Sequence, residues 1–220
     1  MVNGRLRPPT AEEKQSGFSL IELLVSMGIF TIFLALFMSA VIGLTKGTSK
    51  TQITAQTTGE VVSVFKNLDR QVRYADAINA PGTAGGFRYI EFRTPASSSN
   101  LTPAAVLCTQ WRYSPATGVV QMRKWKDVTA AVMGEWMTQL TDVIDTGAAT
   151  YPFDMIPATS NGSTKQRLKL SLNAGNAALN ANTEISTTYV ARNSSTDSIS
   201  NVVVAGASTL PVCLSSGNRP

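Results

Sequence analysis

A carboxylate inside a long oily run is the first group in this sequence that asks for a chemical reason: Glu22 is the one ionisable side chain between Phe18 and Leu44. An acid at the centre of a membrane helix costs on the order of 2.5–3.5 kcal/mol, and less near an end, where it reaches interfacial water. Other reactive groups are sparse. Cys108 and Cys213 are the only cysteines and histidine is absent, which removes Ser-His-Asp, Cys-His and His-based zinc arrangements. Neither a Walker A sequence nor a G-x-G-x-x-G fingerprint occurs, so the residues predict no enzyme, no cofactor and no metal site. Asp142, Asp145 and Asp154 lack the spacing of a calcium loop and read as solvated charges. A basic and aromatic group, Trp111, Arg112, Tyr113, Arg123, Lys124 and Trp125, brackets one turn. It is a candidate contact for nucleic acid or sugar, against the plainer reading of cross-strand aromatic pairs on an edge strand.

The run that carries Glu22 is long enough to cross a bilayer, which takes roughly 20 apolar residues in a helix. A secretory signal is cut after an apolar core of about 7–15 residues. Here the core is longer, and the polar leader ends before it, at Gly17. A cut between Gly17 and Phe18 leaves the whole helix on the mature chain with Phe18 as its amino terminus. Ser26, Gly28, Ser39 and Gly43 are small enough to let such helices approach one another closely.

These residues, QSGFSLIELLVSM at 15–27, resemble the type III signal of type IV prepilins and type II secretion pseudopilins. In that family a membrane peptidase cuts after the glycine and methylates the new terminal residue, and the glutamate at the fifth mature position is needed for assembly. The resemblance therefore implies processing at Gly17 and Phe18, with Glu22 as the assembly residue. A buried ion pair that loses one partner typically costs about 3–5 kcal/mol, so a carboxylate meeting a neighbour's terminal ammonium sets the stacking of subunits. Many pilins have a proline about twenty residues into the mature helix; this chain has none between Phe18 and Ala80. The resemblance also places the residues after about Leu44 outside the cytoplasm. An oxidising compartment permits a Cys108–Cys213 disulfide across a loop of roughly 100 residues; two buried free thiols are the alternative.

The chain has 220 residues, room for one membrane helix and one modest domain. Its mean hydropathy of +0.04 averages an apolar N-terminal fifth with a remainder rich in Ser, Thr, Asn and Ala, and its net charge is +5. Val61, Val64, Phe65, Leu68 and Val72 recur at helical spacing, which predicts one nearly continuous helix from about Phe18 to Ala77. Pro81 and the glycines of residues 79–86 end it. Strands are expected at 87–93, 105–113 and 119–125, the last two as a hairpin about the turn Ser114–Gly118. Residues 128–140 read as a short helix or irregular connection. Leu168, Leu170 and Leu172 alternate in a strand at 165–172, and 185–191 and 200–205 supply the last strands. The expected fold class is α+β and pilin-like, a long helix against an antiparallel sheet. The expected divisions are a leader at 1–17, a membrane or filament-core helix at 18–44, its amphipathic continuation at 45–79, and an exported β-rich domain at 80–220.

The expected function is a structural subunit, a minor pilin of a type IV pilus. The alternatives are a pseudopilin of a secretion or competence system, and a membrane-anchored adhesin or DNA-binding surface protein. The implied partners are other pilin subunits, the prepilin peptidase and methyltransferase, the assembly platform and the cytoplasmic membrane. The final location is then an extracellular pilus or a periplasmic pseudopilus. Trp111, Arg112, Arg123, Lys124 and Trp125 remain the candidate ligand contacts on the exported side.

Overall fold

The structure, a computed structural model, describes residue 17 and residues 19–159, 162–201, 203–204, 207–208 and 212–214. The expected leader apart from Gly17, the expected new terminus Phe18 and the tail at 215–220 lie outside the described residues. The chain divides into two units, 1–48 and 49–220.

Helix α1 runs Leu20–Arg73 without a break. No proline interrupts it, and Leu, Ile, Met and Ala dominate its first half, residues that lose little or no side-chain freedom in a helix or tolerate burial on every side. The part of α1 in the first unit is apolar and exposed around its whole circumference, and an 18-residue window in it reaches a mean hydropathy of 2.4. The part in the second unit has one buried stripe, Thr57, Val61, Val64, Leu68, Gln71 and Val72. Burying each valine or leucine contributes about 1.5–3 kcal/mol. Gln71 breaks the apolar pattern because the buried indole Nε1 of Trp111 donates to its Oε1 at 2.9 Å.

The helix ends four residues before the expected Ala77. Asp69 and Arg73 pair across its last turn. Strand β1, Ala77–Ile78, is already taken up by β3 through the partners Ala77↔Arg93 and Ile78↔Phe92. Long-range pairing wins over helical propensity there, because the edge of β3 supplies hydrogen-bond partners that a further half-turn of helix would leave unmet.

The β structure is two main antiparallel sheets rather than the single sheet expected. The first contains β2 (Gly82–Ala84), β3 (Phe87–Thr94), β4 (Leu107–Ser114), β5 (Val119–Lys126) and β6 (Met137–Leu140), in the order β1-β3-β4-β5-β6, with β2 also on β3. The second is β7 (Phe153–Ile156), β8 (Arg167–Asn176) and β9 (Ala181–Val190), in that order. A two-residue pair, β10 (Val203–Val204) with β11 (Ala207–Ser208), stands apart. The β4–β5 hairpin forms as the sequence predicts, with Ser114 opposite Val119 and Gly118 N–H donating to the Ser114 carbonyl at 2.9 Å. Gly118 has φ +66°, and a Cβ there would lie 2.7 Å from the Val143 carbonyl oxygen, so the turn needs glycine on both counts.

The larger core of the second unit lies between α1 and the two sheets. Val61, Val64, Leu68 and Val72 of α1 meet Ile90, Phe92, Trp111 and Met122 of the first sheet and Phe153, Leu168, Leu170 and Leu172 of the second. The alternating leucines of β8 thus face inward, as their period of two requires. Residues after β6 stitch the sheets together: Val143 N–H donates to the Gly118 carbonyl and Ile144 N–H to the Asn173 carbonyl.

Arg88 of β3 grips the same connection, its Nη1 and Nη2 donating to Asp145 Oδ1 and Oδ2 at 2.7 and 3.2 Å. That hydrogen bonding holds the Asp145 carboxyl below its usual value of 3.8. A carboxyl whose folded value is depressed stabilises the fold above its unfolded value and loses that contribution as pH falls towards the folded one. Asp145→Asn is therefore expected to lower the urea midpoint at pH 7, with the gap to the parent protein narrowing below about pH 4. A gap that stays constant from pH 7 to 3 contradicts the pairing.

Candidate functional site

Two regions carry the sequence-predicted residues, and each belongs to a single unit. In the first, Gly17 and Ser19 precede the helix and both are exposed. Ser19 caps it: the Glu22 N–H donates to Ser19 Oγ at 3.2 Å, and the Leu23 N–H to the Ser19 carbonyl at 3.2 Å. The spacing Ser19-x-x-Glu22 is that of a capping box, in which a serine at the helix cap accepts from the third residue's amide. Ser19 is thus a positioning residue beyond those singled out from the sequence, and the S-x-x-E pattern is its signal. The cap fixes Glu22 in the first turn of α1, where a negative side chain is also favoured by the helix dipole. Glu22 is exposed, on a stretch of helix with no buried residue.

Three hydroxyls further along this helix, those of Ser26, Thr31 and Thr45, bond to its own backbone. Ser26 Oγ donates to the Glu22 carbonyl at 2.7 Å, and Thr31 and Thr45 donate to carbonyls one turn earlier. Glu22 is the one charged side chain on the helix surface between Leu20 and Leu44.

In the second unit the basic and aromatic residues separate onto opposite faces of the first sheet. Neither β4 nor β5 is an edge strand, since β4 lies between β3 and β5, and β5 between β4 and β6. Trp111 points to the core beneath α1, and Lys124, opposite Thr109 in the ladder, shares that inner side. Arg112, Arg123 and Trp125 take the outer side, as strand alternation demands. Segment 127–136 covers them. The Trp136 indole sits 3.9 Å from the Arg112 guanidinium carbon and 4.3 Å from that of Arg123, with Phe87 on the other side of Arg112 at 4.2 Å. Arg123 is buried, and burial lowers the pKa of its guanidinium.

A polar row explains why that arginine is tolerated inside. Across β3, β4 and β5, Glu91 lies opposite Gln110 and Gln110 opposite Arg123. Arg123 Nε donates to Gln110 Oε1 at 2.7 Å, Gln110 Nε2 to Glu91 Oε1 at 2.7 Å, and Asn79 Nδ2 to Glu91 Oε2 at 2.9 Å. The carboxylate and the guanidinium are each satisfied through the amide between them, which a buried charge requires. This chemistry holds a sheet face together and leaves Arg123 little freedom to meet a ligand.

Cys108 and Cys213 are joined in a disulfide with Cα atoms 6.3 Å apart. Around it a second small core gathers Ala77, Trp125 and Val212 on the outer face. Asp127 adds a clasp, its Oδ1 accepting from the Leu214 N–H at 2.7 Å. Trp125 is therefore a packing residue of the disulfide core.

A family model described as the prokaryotic N-terminal methylation motif matches residues 14–38. This stretch contains Gly17, Phe18, Ser19 and Glu22. No curated protein and no solved structure matches the chain. The motif supports a type IV pilin-like family, whose members are structural, and the long helix with antiparallel sheets is a pilin-like α+β architecture. A single apolar N-terminal helix bearing this motif fits a membrane-anchored protein with an exported C-terminal domain.

Proposed function

We propose that this chain is a non-enzymatic structural subunit, a minor pilin of a type IV pilus, cut between Gly17 and Phe18, methylated at Phe18 and assembled through α1. The observation that carries the reading is the methylation motif at residues 14–38 on a helix whose apolar stretch up to Leu44 holds a single carboxylate, Glu22, in its first turn. In a membrane the exposed apolar surface of α1 faces lipid. In a filament the same surface faces sister helices, and Glu22 meets the ammonium of a neighbour's Phe18. The peptidase, the assembly platform and other pilins are the partners this route requires, and the mature protein leaves the membrane for the filament.

A pseudopilin shares the motif, so the choice of pilus over secretion apparatus rests on the large, loop-rich exported domain. The adhesin alternative gains nothing from the β4–β5 hairpin, whose Arg112 and Arg123 lie against Trp136. The test is mass spectrometry of purified surface filaments. The expected result is a peptide beginning at N-methylated Phe18, at a small fraction of the principal subunit's abundance. Chains that retain residues 1–17, or filaments that lack the protein altogether, overturn the reading.

A further inference from the structure

A groove in the second unit is walled by the last turn of α1, by the loop after β3 and by β4 and β5, and encloses about 230 Å³. Arg70 and Lys124 both line it, with Tyr74, Ser98, Asn100 and Thr109. Arg73, Arg88 and Arg93 each meet an aspartate. Among the described residues no carboxylate pairs with Arg70 or Lys124. Arg70 donates only a long 3.4 Å bond to Asn67 Oδ1. Lys124 is half-buried on the inner side of β5, and burial, followed by the charge of Arg70, lowers its pKa. Two like charges brought together at a partly desolvated wall oppose folding unless a counter-charge joins them.

We propose that this groove binds a phosphate-class oxyanion, held between Arg70 and Lys124. A phosphate group carries about −1.5 to −2 charges at neutral pH, which answers two cations, where a carboxylate carries one. Arginine and lysine are the usual phosphate partners, one as a fork of donors and the other as a point charge. The hydroxyls of Ser98 and Thr109 and the amide of Asn100 line the rest of the groove. The ring of Tyr74, half-exposed at the groove, offers an apolar face to whatever carries the phosphate. The source is free phosphate or a phosphorylated sugar, and the shared chemistry is the oxyanion. This site does not depend on whether the chain enters a filament.

The experiment is a calorimetric titration of the full chain in zwitterionic detergent micelles at pH 7. Inorganic phosphate, glucose 6-phosphate and glucuronate are added separately at matched ionic strength. Saturable binding of either phosphate species, weakened about tenfold by Arg70→Gln and by Lys124→Met, is the expected result. Tighter binding of glucose 6-phosphate than of phosphate identifies a carried group, and equal binding identifies the free ion. No saturable phosphate binding, equal affinity for glucuronate, or binding indifferent to both substitutions overturns the proposal. Arg70 is exposed on the helix, so Arg70→Gln decides the matter even if Lys124→Met misfolds.

Discussion

Glu22→Ala, expressed in place of the parent chain, is expected to leave cleavage after Gly17 intact while cutting incorporation into filaments by roughly two to four orders of magnitude. The magnitude follows from the ion pair: stranding one member of a buried pair costs about 3–5 kcal/mol, and each 1.36 kcal/mol is a factor of ten. Glu22→Gln separates charge from shape, because it keeps the side chain's size and can still accept a hydrogen bond. It should be defective as well, though less than alanine. Ser19→Ala addresses the cap alone; losing a serine cap costs about 1 kcal/mol of helix stability, so assembly should fall only modestly. The measurement is the ratio of filament-associated to membrane-associated chain in sheared cell fractions. Normal incorporation of Glu22→Ala removes the assembly role assigned to this carboxylate.

Replacing Cys108 and Cys213 together by alanine is expected to lower the stability of the exported unit by about 4–5 kcal/mol. The chain-entropy model gives this for a closed loop of about a hundred residues. Folded domains are stable by only about 5–15 kcal/mol, so such a loss takes a large share of the total. The bridge also holds residues 212–214 over Trp125 and Ala77, and its removal releases that small core. Urea unfolding of the full chain under non-reducing conditions is the check, with reduced parent protein expected to match the double variant. A midpoint unmoved by the substitution, or two free thiols in the untreated protein, contradicts the bridge.

Much of this architecture is written in local pattern, and what is missing from the pattern is contact at long range. The stripe of Val61, Val64, Leu68 and Val72 carries its helical period openly, and the buried face of α1 follows it. The turn at Ser114–Gly118 and the alternating leucines of β8 are equally plain. Parity along β4 and β5 even separates Trp111 from Arg112 and Lys124 from Arg123, since neighbours in a strand face opposite ways. The cover of segment 127–136 is another matter. Its residues, DVTAAVMGEW, have neither period, and the stacking of Trp136 on two arginines is a tertiary fact. Strand β7 is four residues long and announces itself only through its pairing with β8. At the helix start the opposite holds, for Ser19 and Glu22 stand at cap spacing and the structure makes the bond.

The row Asn79, Glu91, Gln110 and Arg123 has a consequence for how the first sheet finds its alignment. Sliding β3 along β4 by one residue turns core side chains to the wrong face, which apolar burial alone forbids. Sliding by two keeps every face correct, so oily contacts discriminate poorly against it. The acid then decides. In one direction Glu91 comes opposite Cys108 and loses the amide that neutralises its isolation; in the other it reaches Arg112 only by drawing that guanidinium out from between Phe87 and Trp136. A few buried polar atoms thus act as a vernier for the strands, and Glu91→Leu is the change that would let them misalign without losing their grease.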